Sequence, residues 1–155
     1  MPGVKPIKQR YYSISPAVQD EMNAKIERMI SLDVIEVCES SPWSSPVTLV
    51  RKSNGKVRLC LDARKVNSVT VKDAYPLPLI DGLLGRLHDT KYITSLDLKD
   101  AFWQIPLSEK SRSKTAFTVP GRPLYQFKMM PFGLWNAAQS MCRLMDKVIP
   151  HELHD

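Results

Sequence analysis

Ser95-Leu96-Asp97-Leu98-Lys99-Asp100-Ala101-Phe102 puts a carboxylate at the end of an apolar run that begins near Lys91. Taken alone, an Asp in such a place is more often a helix cap or turn former than a metal ligand. Holding two Mg²⁺ ions about 4 Å apart takes carboxylates from at least two chain positions, and Asp97 could be one half of that set. No Asp-Asp dipeptide occurs in the 155 residues, and no further apolar strand is legible that could carry another Asp to the same place. The expected centre is incomplete over this chain. Asp97 by itself is expected to bind Mg²⁺ weakly, if at all, because one carboxylate and one carbonyl leave most of the coordination shell to water. Asp100 reads as a capping or solvated residue.

Working outward, Lys91–Leu98 is the expected central strand. Upstream, after Tyr75-Pro76-Leu77-Pro78, the spacing of Ile80, Leu83, Leu84 and Leu87 predicts a short amphipathic helix despite Gly82 and Gly85. Val47–Arg51 and Val57–Asp62 flank Ser53-Asn54-Gly55, and Asn-Gly is a strong hairpin signal because both central residues of a type I′ turn need positive φ. That hairpin is expected to bring Arg51, Lys52, Lys56 and Arg58 close together. Ser40–Pro46 reads as a proline-fixed loop and Val34–Val37 as a short strand. Ser15-Pro16 opens a helix over about 16–31 with Val18, Met22, Ile26, Met29 and Ile30 as its apolar stripe. Residues 1–14 read as a basic extended arm. Downstream, Thr115–Val119 and Leu124–Met130 suggest a second hairpin about Pro120-Gly121, with Tyr125, Phe127 and Met129 on one face; Ala137, Met141, Leu144, Met145 and Val148 predict a helix ending at Pro150. Hairpins interleaved with covering helices imply an α+β fold built on antiparallel strands.

With 22 basic and 16 acidic residues the net charge is +6, which suits a polyanionic partner and serves solubility equally well. The three cysteines, Cys38, Cys60 and Cys142, have no metal-type or redox-type spacing and read as reduced thiols of an intracellular protein. The start lacks a signal-type apolar region and no run approaches a membrane span, so a soluble protein of the cytoplasm or nucleus is expected, without membrane contact. His88, His151 and His154 form no convincing zinc ligand set.

Five strings occur in order: Ser41-Pro42-Trp43-Ser44-Ser45-Pro46-Val47, Arg58-Leu59-Cys60-Leu61-Asp62-Ala63-Arg64-Lys65-Val66-Asn67, Asp73-Ala74-Tyr75-Pro76-Leu77-Pro78, Leu96-Asp97-Leu98-Lys99-Asp100-Ala101-Phe102 and Met130-Pro131-Phe132-Gly133-Leu134. Together they closely resemble the reverse transcriptases of gypsy-class LTR retrotransposons. The resemblance implies RNA-directed DNA polymerase ancestry, a fingers-like region over 15–90 and a partial palm-like region over 91–155 that lacks the second catalytic hairpin, Tyr-x-Asp-Asp. It implies that Asp97 is the first metal-binding aspartate, with the backbone of Leu98 beside it, and that Mg²⁺ is the metal of the parent family. Phe102 would exclude a ribose 2′-OH, and Arg51 and Arg58 would hold the incoming triphosphate. Phe132 and Gly133 would pack against the nucleotide, and Asn136 would lie in the same segment, near the template. Asp62 and Arg64 would lie near the template, while Lys52 and Lys56 would meet nucleic-acid phosphates. Trp135-Asn136-Ala137-Ala138 departs from the family's usual pattern, which has Pro where Ala138 stands and a smaller residue at Trp135.

The leading expectation is a truncated reverse transcriptase-like domain unable to polymerise alone, with RNA or DNA as partner. The alternative is a domesticated remnant acting as an interaction, oligomerisation or nucleic-acid-binding module. A third reading has another polypeptide supply the missing aspartates. An unpaired palm strand would expose backbone and apolar surface, from which self-association or a protein partner at that face is expected.

Overall fold

Pro16 fits the first helical position because its φ is preset for a helix and the N–H it lacks would go unbonded there. The computed structural model describes residues 3–51, 53, 55, 57–88 and 90–149, and in it α1 spans Pro16–Ser31 with Met22, Ile26 and Met29 buried. Ile30, expected on the same stripe, is exposed. The helix closes in a Schellman turn: the Asp33 and Val34 N–H groups donate to Ile30 O and Met29 O, both at 2.9 Å, with Asp33 in the left-handed region at φ 55°. Met29 and Val34 on either side of that turn both enter the core.

Strand β1, Ile35–Val37, pairs antiparallel with β4, Tyr125–Phe127, setting Ile35 opposite Phe127 and Val37 opposite Tyr125. Tyr125 and Phe127 are buried on one face, as their alternation predicts, and Met129 packs against the same core. The second expected hairpin is reduced to one antiparallel bridge, Phe117 with Tyr125. Phe127 N–H, instead of continuing that ladder, donates to the Thr115 hydroxyl at 3.0 Å. Parallel bridges then join Ser45 to Phe117 and Lys8 to Ser44. The N-terminal arm is extended, but it is docked: Gln9 N–H donates to Ser44 O at 2.8 Å, Ser44 N–H donates to Ile7 O at 3.0 Å, and Ile14 packs on the core.

Strands β2, Val47–Arg51, and β3, Val57–Leu61, form the expected antiparallel hairpin, with Val47 opposite Leu61 and Arg51 opposite Val57. The described ladder runs as far as the Arg51–Val57 pair, Gly55 has φ 74°, and the expected Asn54-Gly55 turn falls partly outside the described residues. Lys52, Asn54 and Lys56 lie outside the described residues. Arg51 pairs with Val57 while Val50 pairs with Arg58, so the two arginines sit on opposite faces of the hairpin and are not gathered as expected.

Lys91–Leu98 forms no strand. Residues 91–100 are all exposed, with Tyr92 at 91% and Leu96 at 86% of full accessibility. A strand exists only through its pairing, and no described segment lies alongside this one. Helix α2 spans Arg64–Ser68. Helix α3, Ile80–Leu87, forms as expected, yet Ile80, Leu84 and Leu87 face solvent; the Leu83 side chain lies outside the described residues. A short α4, Glu109–Arg112, precedes α5, Ala137–Val148, in which only Ala137 is buried. Pro150 and the two terminal histidines, His151 and His154, lie outside the described residues. The core joins Met22, Ile26, Leu59 and Leu61 to Phe117, Tyr125 and Phe127, drawing on both sides of residue 90. Cys38, Cys60 and Cys142 are free thiols, and burial pushes that of Cys60 upward. Among the described residues no helix is long and apolar enough to cross a membrane.

Phe117 is fully buried between Tyr125, at 5.6 Å, and Phe127, at 5.3 Å. Phe117→Ala is expected to destabilise the fold by about 3–5 kcal/mol, read from the urea midpoint.

Candidate nucleotide and nucleic-acid interface

Gly133 has φ 101°, and a Cβ built on it would lie 2.6 Å from the carbonyl oxygen of Leu61 at the end of β3. Only glycine fits this approach. Asn67 on α2 clamps it, its amide N–H donating to Gly133 O at 2.7 Å and its Oδ1 accepting from Trp135 N–H at 2.9 Å. The clamped turn sets Phe132 under Arg58, whose guanidinium carbon is 4.1 Å from the ring centre. Phe102 meets the same ring edge-on, with centroids 5.3 Å apart and planes at 74°. Phe102 is itself held in the 3₁₀ turn Ala101–Gln104, where Trp103 N–H donates to Asp100 O at 2.8 Å and the Gln104 amide donates to Lys99 O at 2.9 Å. Four residues expected at a nucleotide site, Arg58, Phe102, Phe132 and Gly133, are thus gathered. A ring attracts the cation without using its N–H donors.

A second group ties the arm to the end of β3. Arg64 grips Asp62 with two donors, Nε at 2.8 Å and Nη2 at 2.7 Å, and the Tyr12 hydroxyl donates to Asp62 Oδ2 at 2.5 Å. The Arg64 hydrogen bonds, joined by that of Tyr12, hold the Asp62 carboxyl well below the usual carboxylate range. Arg51 stands apart from Arg58, its Nη2 2.6 Å from Glu21 Oε1 on α1.

The segment between α2 and α3 is laced to α5. Asn136 donates from Nδ2 to Val71 O at 2.9 Å and accepts from Asp73 N–H at 3.1 Å, so its amide is engaged within the chain. Arg143 reaches Asp73 at 2.7 Å and covers the ring of Tyr75, whose hydroxyl donates to Asp146. The Arg143 hydrogen bond lowers the Asp73 pKa, and the Asp146 hydrogen bond raises that of Tyr75. Trp135 is accommodated at the surface beneath Lys72, 4.3 Å from its ring centre, and α5 starts at Ala137 despite Ala138. Sequence reading assigned no role to Asn67, Asp73, Tyr75, Arg143 or Asp146. The one available signal was weak: Arg143 and Asp146 share a helix face three residues apart.

Asp97 and Leu98 lie in the exposed irregular segment, and Asp97 has no hydrogen bond or ion pair among the described residues. Its carboxylate suits a hard cation as one ligand. Among the described residues no group of three or more His, Cys, Asp or Glu side chains could hold a metal ion.

Two outcomes are expected. Gly133→Ala should destabilise the chain by about 1–3 kcal/mol or more, seen as a lower melting temperature, since the new Cβ is strained in φ and meets backbone. A carboxylate with depressed pKa contributes stability above its unfolded value and loses it as pH falls through the folded one. Protection of the arm from proteolysis should therefore hold from neutral pH down to about pH 4, and Asp62→Asn should loosen the arm across that range.

The family described as reverse transcriptase (RNA-dependent DNA polymerase) matches residues 50–154. The retrovirus-related Pol polyprotein from transposon gypsy of Drosophila melanogaster is 36% identical over 155 residues, covering 96% of this chain and 15% of the polyprotein. The enzymatic polyprotein of cauliflower mosaic virus, strain Strasbourg, is 37% identical over 147 residues, covering 92% of this chain and 21% of that protein. Among solved structures, the foamy viral protease-reverse transcriptase in complex with double-stranded DNA superposes with a TM-score of 0.82 at 28% identity, over 92% of this chain and 25% of that one. Foamy viral protease-reverse transcriptase in complex with RNA/DNA hybrid gives 0.81 at 27% identity, over 96% of this chain and 20% of that one. The chain therefore spans a quarter or less of the length of these relatives. Sequence and fold agree that it belongs to the reverse transcriptase (RNA-dependent DNA polymerase) family.

Proposed function

We propose that this chain is the part of an RNA-directed DNA polymerase that receives the incoming deoxynucleoside triphosphate and the template beside it. The observation that carries this reading is the stack Arg58 over Phe132 against Phe102, built by the Gly133 approach. Arg58 grips phosphate oxygens, Phe132 forms the floor of the pocket, and Phe102 is the wall that meets a ribose 2′-OH. Asp62 and Arg64, locked to the arm through Tyr12, border the template. The solved relatives bound to DNA and to RNA/DNA hybrid support a nucleic-acid partner of the same kind, and the net charge of +6 favours it.

Asp97, with the carbonyl of Leu98, would hold one divalent ion, which when bound neutralises phosphate charge and orients the triphosphate. These two groups leave the coordination shell largely to water, so in this reading the 155 residues do not polymerise alone. Further carboxylates must reach Asp97 from elsewhere, on a strand paired with Lys91–Leu98. The exposed apolar side chains of that segment support this, since Tyr92, Ile93 and Leu96 are large and apolar yet uncovered. The same surface suits a protein-interaction module, the second reading. Extending the chain with the region that follows in its relatives separates the two: restored DNA synthesis on an RNA template supports the first, while a stable folded dimer without synthesis supports the second.

In the extended, active form, Arg58→Ala is expected to weaken triphosphate binding about tenfold or more, and Phe102→Ala to relax exclusion of ribonucleotides, both read by single-nucleotide incorporation. Hybrid affinity should fall linearly on a log–log plot against salt, because phosphate contacts release counterions; an affinity indifferent to salt would count against the reading.

A further inference from the structure

Phe132 is the ring that joins two groups with different tasks in the proposed pocket. Arg58 lies over its face, 4.1 Å from the ring centre, and Phe102 meets it with centroids 5.3 Å apart and planes at 74°. Among the described residues Phe102 touches no other aromatic ring, and Arg58 has neither an ion pair nor a side-chain hydrogen bond. The backbone of Phe132 is fixed on both sides. Pro131 before it is fully buried, and Gly133 after it is pressed against Leu61 O and clamped by Asn67. Residues 91–100, which lead into the turn holding Phe102, are by contrast all exposed. Phe132 is thus the firmer of the two rings.

A wall refuses a hydroxyl only as far as it cannot retreat. A ribose 2′-OH pressing on Phe102 drives it toward Phe132, whose backbone is held, so the second ring can yield only by turning about its side-chain bonds. Turning tilts the face beneath Arg58, and a cation is attracted to a ring only while it lies over that face. Arg58 has no carboxylate to hold it instead, so its planar fork would lose its aim at phosphate. We infer that Phe132 is a positioning residue that couples the choice of sugar to the grip on the triphosphate. A ribonucleotide is refused by contact at Phe102 and again by a loosened Arg58. Arg58, which meets phosphate and no sugar, therefore helps to set the preference for deoxyribose. Independent contacts would behave otherwise, since groups that share no partner contribute additively.

This inference rests on the nucleotide reading above, and the test separates the two. Isothermal titration of the whole chain, bound to an RNA/DNA hybrid with Mg²⁺, measures the affinity of one deoxynucleoside triphosphate and of its ribonucleotide counterpart. The ratio of the two affinities is the readout, because a merely structural loss weakens both alike. Phe132→Leu keeps an apolar side chain beside Phe102 and removes the aromatic face. It is expected to lower the preference for deoxyribose about threefold to tenfold, as is Arg58→Ala, whereas Phe132→Tyr should retain it. Adding Arg58→Ala to Phe132→Leu should lower the preference no further. Should Phe132→Leu fail to fold, Arg58→Ala on the hairpin decides. A preference left unchanged by these variants, or one that falls in the double variant by the product of the single effects, would overturn the inference alone. Failure of the unaltered chain to bind either triphosphate, or equal affinity for the two sugars, would overturn the nucleotide reading and the inference with it.

Discussion

The backbone of Gly133 packs against the carbonyl of Leu61 at a distance no side chain could share. That constraint couples the end of β3 to the segment entering α5, two regions far apart in sequence. Asn67 pairs with the Gly133 carbonyl and the Trp135 N–H on the two sides of the turn. Phe132 is then fixed beneath Arg58 and beside Phe102, and Asn136, three residues beyond Gly133, brings Val71 and Asp73 onto α5. Nothing in the stack requires Arg58 to be buried or ion-paired; an aromatic face holds it. Such a cation is positioned while its donors remain suited to phosphate.

Burial is uneven. The core gathers α1, the two strand pairs and Phe117, whereas Ile80, Leu84 and Leu87 of α3 and the apolar side chains of residues 91–98 face solvent. Were residues 91–98 drawn into a ladder, their N–H and C=O groups and their side chains would both gain from the added strand. In the proposed reading that strand also brings the carboxylates that Asp97 needs. The cover and the metal site would then be completed in one step.

Local signals in the sequence located most elements. Ser15-Pro16 and the apolar stripe marked α1, alternation marked Tyr125 and Phe127, and the β-rich runs about Gly55 marked the β2–β3 hairpin. What failed was whatever depended on a distant partner. Lys91–Leu98 has the composition of a strand, but composition cannot supply the neighbour that makes one. Leu124–Met130 was matched with its sequence neighbour, while β4 takes its ladder from β1. Arg51 and Arg58 looked adjacent because they flank one turn; the register separates their faces. At the site, the motifs singled out Arg58, Phe102, Phe132 and Gly133, and these do meet. Asn67, Asp73 and Tyr75 lay inside quoted motifs without a role, since side-chain brackets across more than sixty residues leave no periodic trace.

The most direct test of the nucleotide site is hydrogen–deuterium exchange on the chain, free and mixed with an RNA/DNA hybrid, a deoxynucleoside triphosphate and Mg²⁺. Protection concentrated in the peptides holding Arg58–Arg64 and Phe132–Trp135, with Lys91–Leu98 still exchanging freely, is the result this account requires. Unchanged exchange in both of those peptides while binding is demonstrated by another method would contradict it.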